Sequence, residues 1–175
     1  LTQVIVDEKD PSFKNPTKPI GPYYNEDKID DLIDDGYNVK KIKDGYRIVV
    51  PSPDPKSIVE KDVIKQMLDL GILVIAAGGG GMPVILKKDW GFDGVEAVVD
   101  KDLASERLAE EIDADILVIL TNVEKVFINF NKENQKALDN IKLEELKKYY
   151  KEGHFPEGSM GPKVLSAIRF LESGG

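Results

Sequence analysis

Residues Ile72-Leu73-Val74-Ile75-Ala76-Ala77 form an apolar run that opens directly into four consecutive glycines, Gly78 to Gly81. The run predicts a buried strand, and the glycines predict a turn whose backbone N–H groups can approach a bulky anion with no Cβ in the way. Ligands of open α/β sheets bind just beyond the carboxyl ends of the strands. A phosphate site is therefore one expectation for this turn. A plain flexible loop is the other.

Composition narrows the partners. The 175 residues suffice for one domain, or one domain with an attachment. A net charge of −8 argues against nucleic acid or an anionic membrane as the main partner. It leaves room for a local basic pocket that takes an anionic metabolite. The chain has no cysteine, which excludes disulfides, thiolate catalysis and thiolate metal sites. His154 is the only histidine, so histidine triads and His-rich zinc sites have no material. No apolar stretch approaches a membrane span, and no signal peptide is visible. The chain opens on Leu1, just before the apolar run Val4-Ile5-Val6, and closes on Gly174-Gly175 behind a predicted helix. A piece of a longer protein is expected.

Along the chain, Thr2 to Val6 predicts a short strand. Lys9 to Pro22 carries four prolines and fits neither a regular helix nor a central strand. Asn25 to Asp35 predicts an acidic helix. Val39–Lys43 and Tyr46–Val50 flank Asp44-Gly45, a hairpin signal. Residues from about Pro11 to Pro55 thus read as a small excursion from the main sheet. Ser57 and Glu60 have capping-box spacing before a helix that Gly71 ends. Strands are predicted at Ile72–Ala77, Pro83–Leu86, Val95–Val99 and Ile116–Leu120, with a turn-rich stretch at 90–94. Helices are predicted at Leu103–Ile112, about Leu143–Lys151 and Pro162–Leu171. This alternation predicts a mostly parallel sheet with helices on both faces.

The common nucleotide fingerprints fail. The glycine run is not followed by Gly-Lys-Ser/Thr and lacks the third glycine of the dinucleotide pattern. What remains is three lysines beside element ends. Lys101 lies between a predicted strand and a predicted helix, flanked by Asp100 and Asp102. Lys163 follows Gly158-Ser159-Met160-Gly161-Pro162 at a helix start, a place that favours anions. Lys18 sits between Pro16 and Pro19, which stiffen it and reduce the entropy lost on gripping a ligand. Each lysine taken alone is an ordinary solvated charge or a surface ion-pair partner. Together, at one sheet edge beside the glycine turn, they predict a phosphate-handling site. Asp100 is positioned to hold Lys101 or to ligate magnesium. Thr121-Asn122-Val123 either lines a base pocket or simply caps the strand before it.

Six strings then match a known family, in family order. They are Asn15-Pro-Thr-Lys-Pro-Ile-Gly-Pro, Val49-Val-Pro-Ser-Pro, Ala77-Gly-Gly-Gly-Gly-Met-Pro-Val, Asp100-Lys-Asp, Leu120-Thr-Asn-Val and Gly158-Ser-Met-Gly-Pro-Lys-Val. The chain closely resembles the carbamate kinases, a branch of the amino-acid kinase family, and the first string is specific to that branch. The resemblance implies a three-layer αβα sandwich on a mainly parallel open sheet, with residues 11–55 as a protruding subdomain. It places residues 1–175 in the C-terminal, nucleotide-binding portion of that fold.

The implied chemistry is reversible phosphoryl transfer between ATP and carbamate, giving ADP and carbamoyl phosphate, with Mg2+, in a cytoplasmic enzyme of arginine breakdown. By motif, Lys101 resembles the lysine that neutralises the transferring phosphoryl group, and Asp100 the aspartate that organises lysines or metal. Lys163 resembles the lysine on the nucleotide phosphates, and Lys18 the one that reaches in from the protrusion. Gly78, Gly79, Gly80, Gly81, Thr121, Asn122, Val123, Phe130, Gly158, Ser159 and Met160 fall in the implied nucleotide site. Carbamate is already an anionic nucleophile, so no histidine or cysteine is needed. The family's first half, with its further glycine turns and much of its homodimer interface, and its final strand are not in these residues. This stretch alone is expected to bind nucleotide weakly and to turn over poorly or not at all. Two other readings stand beside this one. One is a related kinase acting on a different carboxylate or phosphorylated acid. The other is a non-catalytic nucleotide-binding module.

Overall fold

The computed structural model describes residues 1–42, 45–89, 91–156 and 158–175. Strand β1 (Gln3–Val6) is followed by a 3₁₀ turn at Pro11–Phe13 that Asp10 caps through its side chain. Strands β2 (Lys18–Tyr24), β3 (Val39–Ile42) and β4 (Gly45–Val50) form a separate antiparallel sheet in the order β2-β4-β3. A 3₁₀ turn and the short helix α1 (Ile29–Asp34) lie between β2 and β3, where one continuous helix is predicted. The proline-rich β2 takes an edge of this sheet, the position that proline tolerates. The predicted hairpin pairs as Lys41↔Tyr46 and Ile42↔Gly45, and the Lys43–Asp44 part of its turn lies outside the described residues.

The main sheet runs β5-β1-β6-β7, with β5 (Pro55–Ile58), β6 (Met82–Lys87) and β7 (Gly91–Gly94). β1 pairs parallel to β6, while β5 and β7 pair antiparallel to their neighbours. Helix α2 (Lys61–Asp69) departs from the capping-box expectation. Ser57 belongs to β5 and donates to Glu111, while the Glu60 carboxylate accepts the Gln3 N–H at 2.8 Å. Both side chains of the predicted box are thus spent on tertiary contacts. Gly71 ends α2 at φ 76, as predicted.

Three predicted strands, 72–77, 95–99 and 116–120, run without ladder pairing among the described residues. A strand is made by its partner's N–H and C=O groups. These segments find only isolated contacts, such as Ala77 N–H to Thr2 Oγ1 at 2.9 Å and Val98 N–H to the Pro51 carbonyl at 3.0 Å. In two of them alternate side chains face solvent: Leu73 and Ile75 are 90% and 93% exposed, and Ile116, Val118 and Leu120 are also open, whereas Val95 and Val99 pack into the core.

Helix α3 (Lys101–Glu111) packs on β5 and on α5 (Met160–Glu172). The hairpin β8 (Val126–Ile128) and β9 (Lys136–Leu138) leads to α4 (Leu143–Lys151), which packs on α5. Two cores result. Val4, Val6, Ile58, Ile64, Ile85, Val99 and Ala104 join the main sheet to α2 and α3. Ile128, Leu146, Phe155, Val164 and Ile168 join the hairpin to α4 and α5. The first turns of α3 and α5 lie side by side between these cores, and the site is built there.

Candidate active site

Asp100 opens α3. Its Oδ1 accepts the Asp102 N–H at 2.9 Å and the Leu103 N–H at 3.5 Å, satisfying two donors that a helix start leaves free. Its Oδ2 accepts Lys18 Nζ at 2.5 Å, tying β2 to the start of α3. Burial alone would raise the Asp100 carboxyl, but the Lys18 ammonium and the two backbone donors outweigh it and hold the carboxyl below its ordinary value. Asp102, on the next residue but one, takes Lys163 Nζ with both oxygens at 3.1 and 3.0 Å. This pair joins α3 to α5 and is mostly shielded from water. Gly161 lets α5 start here, because a Cβ at that position would stand 2.8 Å from the Pro156 carbonyl.

These groups form the polar end of a cavity of about 290 Å3, and Lys101 is exposed beside them. The other end is aromatic, with Phe127, Phe130, His154 and Phe155. His154 is fixed edge-on to Tyr149, with Nε2 3.3 Å from Glu152. Thr121, Asn122 and Val123 line one wall, and Gly158, Ser159 and Met160 another. The cavity therefore combines lysine and carboxylate side chains with aromatic ones, a lining suited to a molecule that carries both phosphates and a base.

Lys18, Asp100, Lys101, Lys163, Phe130 and both predicted wall segments converge on this cavity. The four glycines do not line it. Gly78, Gly79 and Gly81 border a neighbouring open cavity with Thr2, Ile75 and Met82. Gly80 adjoins the polar end from behind: a Cβ there would lie 2.1 Å from the Val99 carbonyl oxygen. Asp102, Phe127, His154 and Phe155 were not singled out from the sequence as site residues. Asp102 was visible within Asp-Lys-Asp, and His154-Phe155 lies immediately upstream of the Gly-Ser-Met string. Phe127 lies on the β8–β9 hairpin, which no sequence pattern announced, Phe130 lies in its loop, and His154 and Phe155 follow α4.

Among the described residues no group of three or more His, Cys, Asp or Glu side chains could hold a metal ion. Asp100, the candidate ligand, has Oδ1 on backbone N–H groups and Oδ2 on an ammonium, so it does not fit a protein-held magnesium.

The fold is shared with known proteins. The chain matches the amino acid kinase family over residues 24–175 and belongs to it. Within that family its relatives are carbamate kinases. That of Pyrococcus furiosus is 55% identical over 177 residues, covering 100% of this chain and 56% of the relative. That of Clostridium perfringens is also 55% identical, covering 99% of this chain and 55% of its own. Among solved structures, carbamate kinase from Giardia lamblia bound to AMP-PNP is 45% identical with a TM-score of 0.86, over 99% of this chain and 56% of that one. An Aeropyrum pernix structure reaches 48% identity and a TM-score of 0.90. The α/β fold is common to all, and this chain spans about half the length of the curated relatives it matches.

Proposed function

We propose that this chain is the nucleotide-binding portion of a phosphotransferase that moves a phosphoryl group reversibly between ATP and carbamate. The observation that carries the reading is the convergence of Lys18, Lys101 and Lys163, with Lys18 and Lys163 braced by Asp100 and Asp102, on one cavity that aromatic side chains also line. In this reading the carbamate oxygen attacks the γ-phosphorus, a new O–P bond forms, and the bond to the β-phosphate oxygen breaks to release ADP. The nucleophile is already anionic, so the protein supplies positioning and charge neutralisation rather than a base. Lys163 and Lys101 neutralise the phosphates and the transferring group, and Lys18 reaches them from the three-stranded sheet at residues 18–50. Magnesium, if required, would have to come with the nucleotide, since no described residues are arranged to hold it. Residues 11–55 serve as the protruding subdomain, and arginine breakdown in the cytoplasm is the setting that fits.

Calorimetric titration with AMP-PNP tests the reading. The chain is expected to bind it, and Lys163→Ala to weaken binding by at least about tenfold, the worth of one charge-assisted contact. Unchanged affinity in Lys163→Ala removes the reading. Carbamoyl-phosphate-dependent ATP synthesis by this chain alone is expected to be poor or undetectable, measured by coupled luminescence. A panel of carboxylate acceptors distinguishes carbamate from the substrates of other amino acid kinases.

A further inference from the structure

Glu106 lies on α3 one turn after Asp102, on the same stripe of the helix. It is fully buried, and neither carboxyl oxygen has a hydrogen-bond partner among the described residues. Ser166 lies one turn after Lys163 on α5, is equally buried, and its Oγ is also without a partner. Two unsatisfied polar groups therefore sit one turn behind the Asp102–Lys163 pair, on the two helices that this pair joins. Orphaned buried polar groups are costly, and an ionised carboxylate without a donor costs most.

We propose that Glu106 is a positioning residue whose neutral form keeps α3 seated against α5 and leaves Lys163 free to exchange Asp102 for a phosphate. The proposal rests on the reading of this cavity as a nucleotide site.

The charged surroundings are few. On α3, Arg107 and Glu110 bind each other at 2.6 Å. On α5, Arg169 is held by Asp54 at 2.6 Å. On β5, Lys56 also goes to Asp54, at 3.1 Å. One turn towards the site stand Asp102 and Lys163. Burial pushes the Glu106 carboxyl up, Arg107 and Arg169 pull it down, and the neighbouring Glu110 carboxyl pushes it up again, to about 7. The protonated acid has a donor to offer Glu110. The ionised form has no partner among the described residues and carries the same sign of charge as Asp102, one helical turn towards the site, so it works against the Asp102–Lys163 arrangement. Because the folded value lies above the ordinary 4.5, the stability tied to this proton is full below that pH and is lost as pH rises through about 7. Lys163 is thereby set by the protonation of a residue outside the cavity.

The test uses lysine- and glutamate-selective 13C labelling of this chain, with the Lys163 Cε signal assigned through Lys163→Arg. In the wild type that signal is expected to inflect near the Glu106 midpoint, and in Glu106→Gln the inflection disappears. AMP-PNP affinity is expected to fall by about fivefold more across that range in the wild type than in Glu106→Gln. The nucleotide's own titration is common to both proteins and cancels. A flat Lys163 signal, or the same inflection in Glu106→Gln, overturns the proposal. If Glu106→Gln does not fold, the wild type decides through its Glu106 Cδ signal. A midpoint shared with Lys163 Cε supports the coupling, and distinct midpoints end it. Absence of AMP-PNP binding at every pH counts against the nucleotide reading alone, since the lysine titration needs no ligand.

Discussion

Gly79 and Gly80 are neighbours with different reasons to be glycine. Gly80, at φ 130, stands where a Cβ would penetrate the Val99 carbonyl oxygen, directly behind the start of α3. Gly79 has open space around its missing Cβ and no left-handed backbone. Gly80→Ala is therefore expected to destabilise the chain by at least about 1–3 kcal/mol, from overpacking plus backbone strain. Gly79→Ala is expected to leave the melting temperature nearly unchanged, and differential scanning calorimetry on the pair checks both. The glycine turn thus first serves close packing of β6 and the α3 cap against one another. Any contact with an anion is left to the exposed Gly79, since the Gly78 N–H is already donated to the Ala76 carbonyl at 2.8 Å.

At the scale of the element, α3 concentrates the most chemistry in the fewest residues. One carboxylate, Asp100, caps the helix and holds Lys18 across 82 positions of chain. Asp100→Asn keeps a good capping residue and loses the ion pair, whereas Asp100→Ala loses both. The alanine variant is expected to be the less stable by about 1 kcal/mol, read from urea midpoints. Because the folded Asp100 carboxyl is depressed, its contribution is complete above the ordinary value of 3.8 and fades as pH falls through the lower folded value. Acid titration of Asp100→Asn is expected to lack that component.

Helices α3, α4 and α5 were legible because apolar stripes, glycines and prolines mark them locally, and the structure places α4 at the predicted bounds. The pairing of segments 72–77, 95–99 and 116–120 was not, because an apolar run reports burial preference and says nothing about which partner supplies the ladder. The short strands β7, β8 and β9 escaped because three or four residues carry no readable period. The lysine constellation was legible through its flanking prolines, glycines and aspartates. Of the aromatic lining only Phe130 was expected, while Phe127, His154 and Phe155 were not, since the β8–β9 hairpin and the segment after α4 meet only through tertiary packing.

Across the whole molecule, the two cores are well closed but some apolar side chains are not covered. Leu73, Ile75, Ile116, Val118 and Leu120 stand exposed on extended segments whose backbone groups lack ladder partners among the described residues. Unpaired extended backbone beside apolar side chains promotes association. The isolated chain is expected to self-associate with rising concentration. Ile75→Lys with Val118→Lys is expected to suppress this in light scattering while leaving AMP-PNP binding intact, because neither residue lines the cavity.

The pairing of Lys18 with Asp100 and of Lys163 with Asp102 bears on what can occupy the cavity. The resting site already carries built-in counter-anions, and a fourth lining lysine, Lys125, is paired with Asp139 at 2.6 Å, which leaves Lys101 as the lining lysine without an ion pair among the described residues. Chloride or acetate gains too little to dislodge either carboxylate. In the proposed reading a polyphosphate, bringing several charges on one frame, is expected to displace both together, so that the site would select by valence before it selects by shape.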